Sequence, residues 1–265
     1  MHPRRSYGRW RLLIVPPRSG AENMARDSAL KSRAVRTGET VFSVYSWSAP
    51  TLSFGRNQPA RGLYDLGKLR EAGVGIVRRP TGGRAILHDR EVTYSVTAPL
   101  DENVALRETY DRINRILKSG LSRLGVRVEA ASRSNRAAPP SIRPCFETPS
   151  EGELVAEGAK LVGSAQWRDA GALLQHGSIL VDDDQSSLPV FARDSEPSVA
   201  PVPVPATLQA LLGRAPEVNE VAIAMFDAVR SLEDADAREL PEDEIRDEAL
   251  EYVPHFLDEG WTWRR

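Results

Sequence analysis

Apolar positions recur with two different periods along this 265-residue chain. Trp10 to Val15 is a dense apolar run ended by Pro16-Pro17, which predicts a first strand. Met24, Ala25, Ala29 and Leu30 recur at helical spacing and predict a helix over Ala21 to Ser32. Thr40 to Trp47 is strand-like, and Pro50 to Gln58 predicts a short strand running into a loop. Leu63 to Ala72 predicts a short helix stopped by Gly73. Val74 and Ile76 then alternate into Val77-Arg78-Arg79, Pro80-Thr81-Gly82-Gly83 turns, and Arg84 to Leu87 returns. His88-Asp89 turns again, and Val92, Tyr94 and Val96 alternate once more.

The second half opens with the clearest helix. Leu106, Tyr110, Ile113, Leu117, Leu121 and Leu124 recur at spacings of three and four and form one apolar stripe. Residues 130–144 read as a loop rich in Ala, Ser, Arg and Pro. Glu153 to Ala156 and Lys160 to Gln166 predict a hairpin turned at Glu157-Gly158, followed by a strand over Ala172 to Asp182. Residues 197–206 read as a Pro-rich connector, and Val218 to Leu232 and Glu242 to Phe256 as closing helices. From the pattern alone the class is α/β or α+β. The length fits one large domain, or one domain with a small appendage.

Charge changes this picture. Residues 1–144 hold 26 Lys and Arg against 12 Asp and Glu, a balance of +14. Residues 145–265 hold 9 against 25, a balance of −16. Two readings stand: the halves pack together and neutralise each other, or the basic half is a face for an acidic partner. The basic residues are scattered and carry no nucleic-acid-binding motif. The run Leu12 to Val15 is too short for a signal-peptide core, and no stretch is long enough to span a bilayer. One cysteine points to a reducing, cytoplasmic setting.

That cysteine, Cys145, lies in Pro144-Cys145-Phe146-Glu147-Thr148-Pro149-Ser150. Alone it makes no internal disulfide and a poor metal site, which leaves a buried space-filler or a nucleophile. Lys160 follows in Gly158-Ala159-Lys160-Leu161-Val162-Gly163-Ser164-Ala165. A free thiol has a pKa of about 8.5, and a neighbouring cation raises its thiolate fraction. Without Cys145, Lys160 would read as an exposed turn lysine. Arg79-Pro80-Thr81-Gly82-Gly83-Arg84-Ala85 is a glycine loop between strands, with no helix after it, which argues against a Walker loop or a dinucleotide fingerprint. Its glycines suit a tight turn or close approach of a ligand to backbone amides. His88 and His176 lie in the strand-rich centre, and the small run Gly163-Ser164-Ala165 leaves room for a ligand or for close packing.

Together these stretches resemble a known family. Arg78 to Asp89 resembles the arginine–glycine signature of the lipoate–protein ligase and octanoyltransferase superfamily, which biotin–protein ligases share. Lys160 to Gln166 and Gln175 to Leu180 resemble its second and third blocks. Asn23 to Leu30 and Pro50 to Gln58 resemble its first helix and the next strand, so the likeness covers roughly residues 10–185. Cys145-Phe146 and Pro149-Ser150 resemble the nucleophile segment of the Firmicute-type octanoyltransferase. Glu151-Gly152 departs from that segment, where an aromatic residue is expected before Glu153-Leu154.

The resemblance implies an α+β fold with a mixed, largely antiparallel sheet flanked by helices. It implies a catalytic core over residues 1–190, with 191–265 forming a linker and C-terminal helices packed on the same domain. It implies an octanoyl thioester on Cys145, with Lys160 lowering the thiol's pKa. Arg79, Thr81, Gly82, Gly83, His88, Gly163, Ser164, Ala165 and His176 would then bind substrate. The implied donor is octanoyl-acyl carrier protein and the implied acceptor a lysine of the glycine-cleavage H protein, with no cofactor and no metal. Carriers of these families are typically acidic, which favours the basic half as a docking face. The rivals are an ATP-dependent lipoate–protein ligase, which would not need Cys145, an octanoyl amidotransferase between lipoyl carriers, and a carrier-binding module with an inert, buried cysteine.

Overall fold

The computed structural model describes residues 8–131, 145–146, 149–182, 185–193 and 203–265. Most of the loop read over 130–144, and residues 197–202 of the Pro-rich connector, lie outside these. In chain order the elements are β1 (Trp10–Ile14), α1 (Gly20–Thr37), β2 (Thr40–Tyr45), β3 (Thr51–Phe54), α2 (Leu66–Glu71), β4 (Gly75–Arg78), β5 (Ile86–His88), β6 (Glu91–Pro99) and α3 (Leu106–Arg123). Then come β7 (Glu129–Ala130), β8 (Leu154–Ala156), β9 (Ala159–Asp169), β10 (Ala172–Leu180), a 3₁₀ turn (Leu188–Phe191), α4 (Leu208–Leu212), α5 (Val218–Leu232), β11 (Arg238–Glu239), α6 (Asp243–Leu257) and α7 (Glu259–Thr262).

The large sheet runs β11-β1-β2-β6-β10-β9-β8-β7. Only β1 pairs in parallel, with β11 and β2; the rest of the sheet is antiparallel. The expectation of a mixed, largely antiparallel sheet flanked by helices is met. Alternation along the strands covers both faces. Leu12, Phe42 and Val44 face α3 and α5, with Ile113, Leu117, Met225 and Phe226 in the same cluster. Leu13, Val41 and Tyr45 face α1 and α6, with Ala25, Ala29, Ile245 and Phe256.

The small sheet corrects one expectation. The strands on either side of the glycine loop do not form a hairpin: β3 lies between β4 and β5, parallel to the first and antiparallel to the second. The loop over residues 79–85 is therefore a crossover over the end of β3. The β8–β9 hairpin does turn at Glu157 and Gly158, both with positive φ (51° and 81°).

Helix ends follow local chemistry. Ser19 and Glu22 cap α1 reciprocally, and Gly38 ends it at φ 70°. The helix runs five residues beyond Ser32 because Arg33 and Arg36 reach Glu39, Glu244 and Glu248. Leu106, counted in the α3 stripe, is 52% exposed, so the buried face begins one turn later. Among the described residues no helix is long and apolar enough to cross a membrane.

Candidate active site

A cavity of about 330 Å³ opens between the glycine loop, the centre of β9 and β10, and α1. Cys145, Arg79, Gly82, Gly83, His88, Gly163, Ser164, Ala165 and His176 line it. Of the residues expected from sequence, only Lys160 and Thr81 stand behind the wall.

Cys145 is held on the glycine loop by its own backbone. Its N–H donates to Ala85 O at 3.1 Å, and its carbonyl accepts from Arg84 Nη2 at 3.4 Å. The next residue, Phe146, packs with Ile86 and Leu180. Lys160 reaches the same spot from β9: its Nζ lies 3.6 Å from Cys145 Sγ and donates to Cys145 O at 2.8 Å. The ammonium also sits 4.7 Å from the Phe146 ring centre. The β8–β9 hairpin brings in one further partner. Glu153 Oε2 lies 2.7 Å from Lys160 Nζ, in an ion pair whose side chains are 1% and 7% exposed. The same oxygen accepts from Ser150 N at 2.6 Å, which joins the segment after Cys145 to the lysine. Thiol, ammonium and carboxylate thus form a chain with the sulfur facing the cavity.

The glycine loop is stapled by Arg79. Its guanidinium donates to Ser53 O and Oγ (3.0 and 2.8 Å), to Gly82 O (3.1 Å) and to Arg84 O (2.6 Å). Burial disfavours this charge, and Cys145 is the first neighbour to favour it. Glycine is required here by contact as well as by conformation. Gly83 has φ 99°, and a Cβ on Gly55 would lie 2.0 Å from Gly83 O.

Both central histidines are wired into buried pairs. His176 Nδ1 lies 2.8 Å from Asp27 Oδ2, and its Nε2 lies 2.6 Å from Thr81 Oγ1. Thr81 therefore orients a cavity histidine rather than lining the cavity. His88 Nδ1 lies 2.9 Å from Glu91 Oε1, Nε2 lies 2.7 Å from Ser53 Oγ, and the ring stacks on Trp47 with centres 3.9 Å apart. Burial lowers the His88 pKa below its ordinary value, against the opposing pull of Glu91. Trp47, Tyr45, Met24 and Tyr110 add bulk to the wall. None was singled out from sequence as a site residue, because each reads there as ordinary core.

Ser164 Oγ lies 2.7 Å from Tyr94 OH, which accepts from Gln175 Nε2 at 3.0 Å. Gly163 and Gly177 clear the floor. A Cβ on Gly177 would lie 2.3 Å from Gly163 O, and one on Gly163 would press on Lys160 Cε and Phe146 at 3.1 Å each. Among the described residues no cluster of His, Cys, Asp and Glu is arranged to hold a metal ion. The site offers a thiol next to a buried ammonium, amide-rich loops around it, and a walled space of acyl-chain scale.

Known proteins resemble this chain in sequence and fold. Residues 19–230 match the model of the lipoyl protein ligase A/B catalytic domain. The chain is 46% identical over 191 residues to octanoyltransferase LipM of Kyrpidia tusciae, covering 68% of each chain. It is 40% identical over 189 residues to octanoyltransferase LipM of Staphylococcus aureus, again covering 68% of each. Among solved structures, a bipartite lipoate protein ligase from Thermoplasma acidophilum superposes with TM-score 0.77 at 19% identity, over 96% of each chain. A lipoate-protein ligase A bound with ATP gives TM-score 0.77 at 21% identity, over 96% of this chain and 98% of that one. These two establish likeness of fold alone. With its family model matched across most of its length, the chain belongs to the lipoyl protein ligase A/B catalytic-domain family.

Proposed function

We propose that this protein is an octanoyltransferase of protein lipoylation that works through a thioester on Cys145. The relatives' shared name supports octanoyl transfer. The observation that carries the chemistry is Lys160 Nζ at 3.6 Å from Cys145 Sγ, at the edge of the cavity.

The ammonium stabilises negative charge on sulfur, and the thiolate is the nucleophile. Sγ attacks the carbonyl carbon of the donor thioester. A new C–S bond forms, the donor C–S bond breaks, and the donor thiol leaves with a proton. One thioester replaces another, so little free energy changes. The amine of an acceptor lysine then attacks the acyl carbon, a C–N bond forms, and Sγ departs. The proton lost by the amine returns to sulfur, with Lys160 Nζ within reach to pass it. An amide is more stable than a thioester, so the second step runs downhill without ATP. Backbone N–H groups of the glycine loop are suited to receive the oxyanion of each tetrahedral intermediate.

The acyl chain occupies the space walled by Gly163, Ser164, Ala165, Ile86, Trp47 and Met24. His88 and His176, fixed by Glu91 and Asp27, hold the far wall rigid. The donor is octanoyl-acyl carrier protein and the acceptor a lipoyl-carrier protein such as the glycine-cleavage H protein, in the cytoplasm. The test supplies the acceptor with octanoyl-acyl carrier protein without ATP, and separately with free octanoate plus ATP. Amide formation in the first arm is expected. Amide formation only in the second arm would make the protein a ligase and leave Cys145 as packing.

A further inference from the structure

Part of the charge asymmetry of the chain is neutralised inside the fold. Arg11 and Arg33 meet Glu39 and Glu244, Arg18 and Arg26 meet Glu242, and Arg36 meets Glu248. Apart from Glu39, the acids in these pairs belong to α6 and its N-cap residue Glu242. Among the described residues, other cations too have no carboxylate within ion-pair distance; what sets Arg56 and Arg264 apart is what they stack on.

They share aromatic faces. The Arg56 guanidinium carbon lies 4.2 Å from the ring centre of Trp167 and 5.5 Å from that of Trp261. Arg264 lies 4.7 Å from Trp261. The result is a ladder of Arg264, Trp261, Arg56 and Trp167 in that order. Like charges around one indole repel. Burial and then Arg264 disfavour the charge on Arg56, against the pull of Asp169, which is itself 3.5 Å from Lys31. Behind them Arg78 is pushed down to about 10, by burial first and then by Arg264, Arg79 and Arg265. The positive charges thus disfavour one another, with Asp169 the opposing carboxylate at Arg56.

Its place is what gives it a use. Arg56 N donates to Thr81 O at 2.7 Å, next to the cavity-lining Gly82 and Gly83. Trp167 follows Gln166, which lines the cavity from β9. None of the four ladder residues lines the cavity itself. A ligand that reaches Cys145 and also touches the ladder must extend outside the cavity, as a group tethered to a protein does. Arginine and tryptophan are the side chains that most often anchor protein interfaces, and unneutralised cations select carboxylates.

We propose that the Arg56–Trp167–Trp261–Arg264 ladder is the docking surface for a carboxylate-bearing face of the carrier protein that brings its acyl group to Cys145. The inference rests on the transferase reading above. Arg264→Glu is the main variant because the side chain is exposed, and Arg56→Gln is the second. The expected result with octanoyl-acyl carrier protein is a rise in KM of about five-fold or more for Arg264→Glu, with a weaker salt dependence. Turnover of octanoyl-N-acetylcysteamine, which has neither protein nor phosphate, stays at the wild-type level. An unchanged KM with the carrier, or an equal loss with the small thioester, would overturn the proposal. So would a full loss with octanoyl-4′-phosphopantetheine alone, since the arm's phosphate would then be the ligand.

Direct binding of the octanoyl carrier to Cys145→Ala, with and without Arg264→Glu, separates the two claims. If wild-type protein forms no acyl-enzyme but Arg264→Glu still weakens carrier binding to Cys145→Ala, the thioester reading falls and the carrier-docking surface stands. If the acyl-enzyme forms and binding is unchanged, the docking surface falls alone.

Discussion

Besides its bond to the Cys145 carbonyl, the Lys160 ammonium serves the sulfur of Cys145 at 3.6 Å and the carboxylate of Glu153 at 2.7 Å. The two contacts have separable consequences. Lys160→Gln keeps most of the side-chain volume but removes the charge beside sulfur. Iodoacetamide labelling of Cys145 at neutral pH is expected to slow, since the nearest cation to the sulfur is gone; an unchanged rate would remove Lys160 from the activation of the thiol. Glu153→Ala leaves Lys160 buried without its counter-charge. Breaking a buried pair in this way costs about 3–5 kcal/mol, to be read from urea denaturation. Cys145 was legible in the sequence because a lone thiol is unusual in itself, and Lys160 only through its place beside Cys145 in a resembling block. Glu153 was not. A carboxylate at a strand edge is ordinary, and only the fold of the β8–β9 hairpin turns it onto Lys160. Thr81 shows the reverse case: its place in the glycine loop was legible, but its bond to His176 comes from β10, ninety-five positions away.

At the scale of elements, the close approach of β9 and β10 beneath the cavity depends on Gly177. An alanine Cβ there would lie 2.3 Å from the Gly163 carbonyl, a backbone atom that cannot rotate away. Gly177→Ala is expected to destabilise the protein by about 1–3 kcal/mol, as overpacking does. It is also expected to lower transfer activity more than a surface substitution of equal stability cost, because β9 carries both Lys160 and the cavity floor. Chemical denaturation and an activity assay on the same sample check both parts. Strand and helix periodicity was largely legible: β1, β2, β6, β9, β10, α3, α5 and α6 fall where the apolar pattern places them, to within a few residues. The partner of each strand was less so. The glycine loop reads locally as a hairpin turn, yet β3 takes the position between β4 and β5. Loop residues specify a reversal of direction, whereas the neighbouring strand is chosen by burial of Leu52 and Phe54 against Leu69, Leu87 and Phe191.

Across the whole molecule, the opposite charges of the two halves act mainly as an internal fastening between α1 and α6. Beside it, Glu39 ties Arg33 of α1 to Arg11 of β1. Burial raises its pKa, but hydrogen bonds from Arg33 and Arg11 outweigh this and hold it below the ordinary carboxylate value. A carboxylate depressed in the folded state contributes stability above its unfolded pKa of about 4.3 and loses it as pH falls through the folded value. Glu39→Gln is therefore expected to lower stability at neutral pH and to flatten the acid limb below about pH 4.3, seen as melting temperature against pH. The asymmetry itself was plain from residue counts, but counts alone could not distinguish internal pairing from a docking face. The structure pairs Arg26, Arg33 and Arg36 of α1 with Glu242, Glu244 and Glu248 at the start of and within α6, whereas Arg56 and Arg264 stack on tryptophans.

The central claim is the acyl-enzyme, and intact mass spectrometry tests it most directly. Wild-type protein and Cys145→Ala are incubated with octanoyl-acyl carrier protein in the absence of ATP. The account predicts one octanoyl adduct on the wild type, removed by hydroxylamine as a thioester is, and none on Cys145→Ala. An adduct that persists in Cys145→Ala, or transfer to the acceptor at the wild-type rate by that variant, would contradict it.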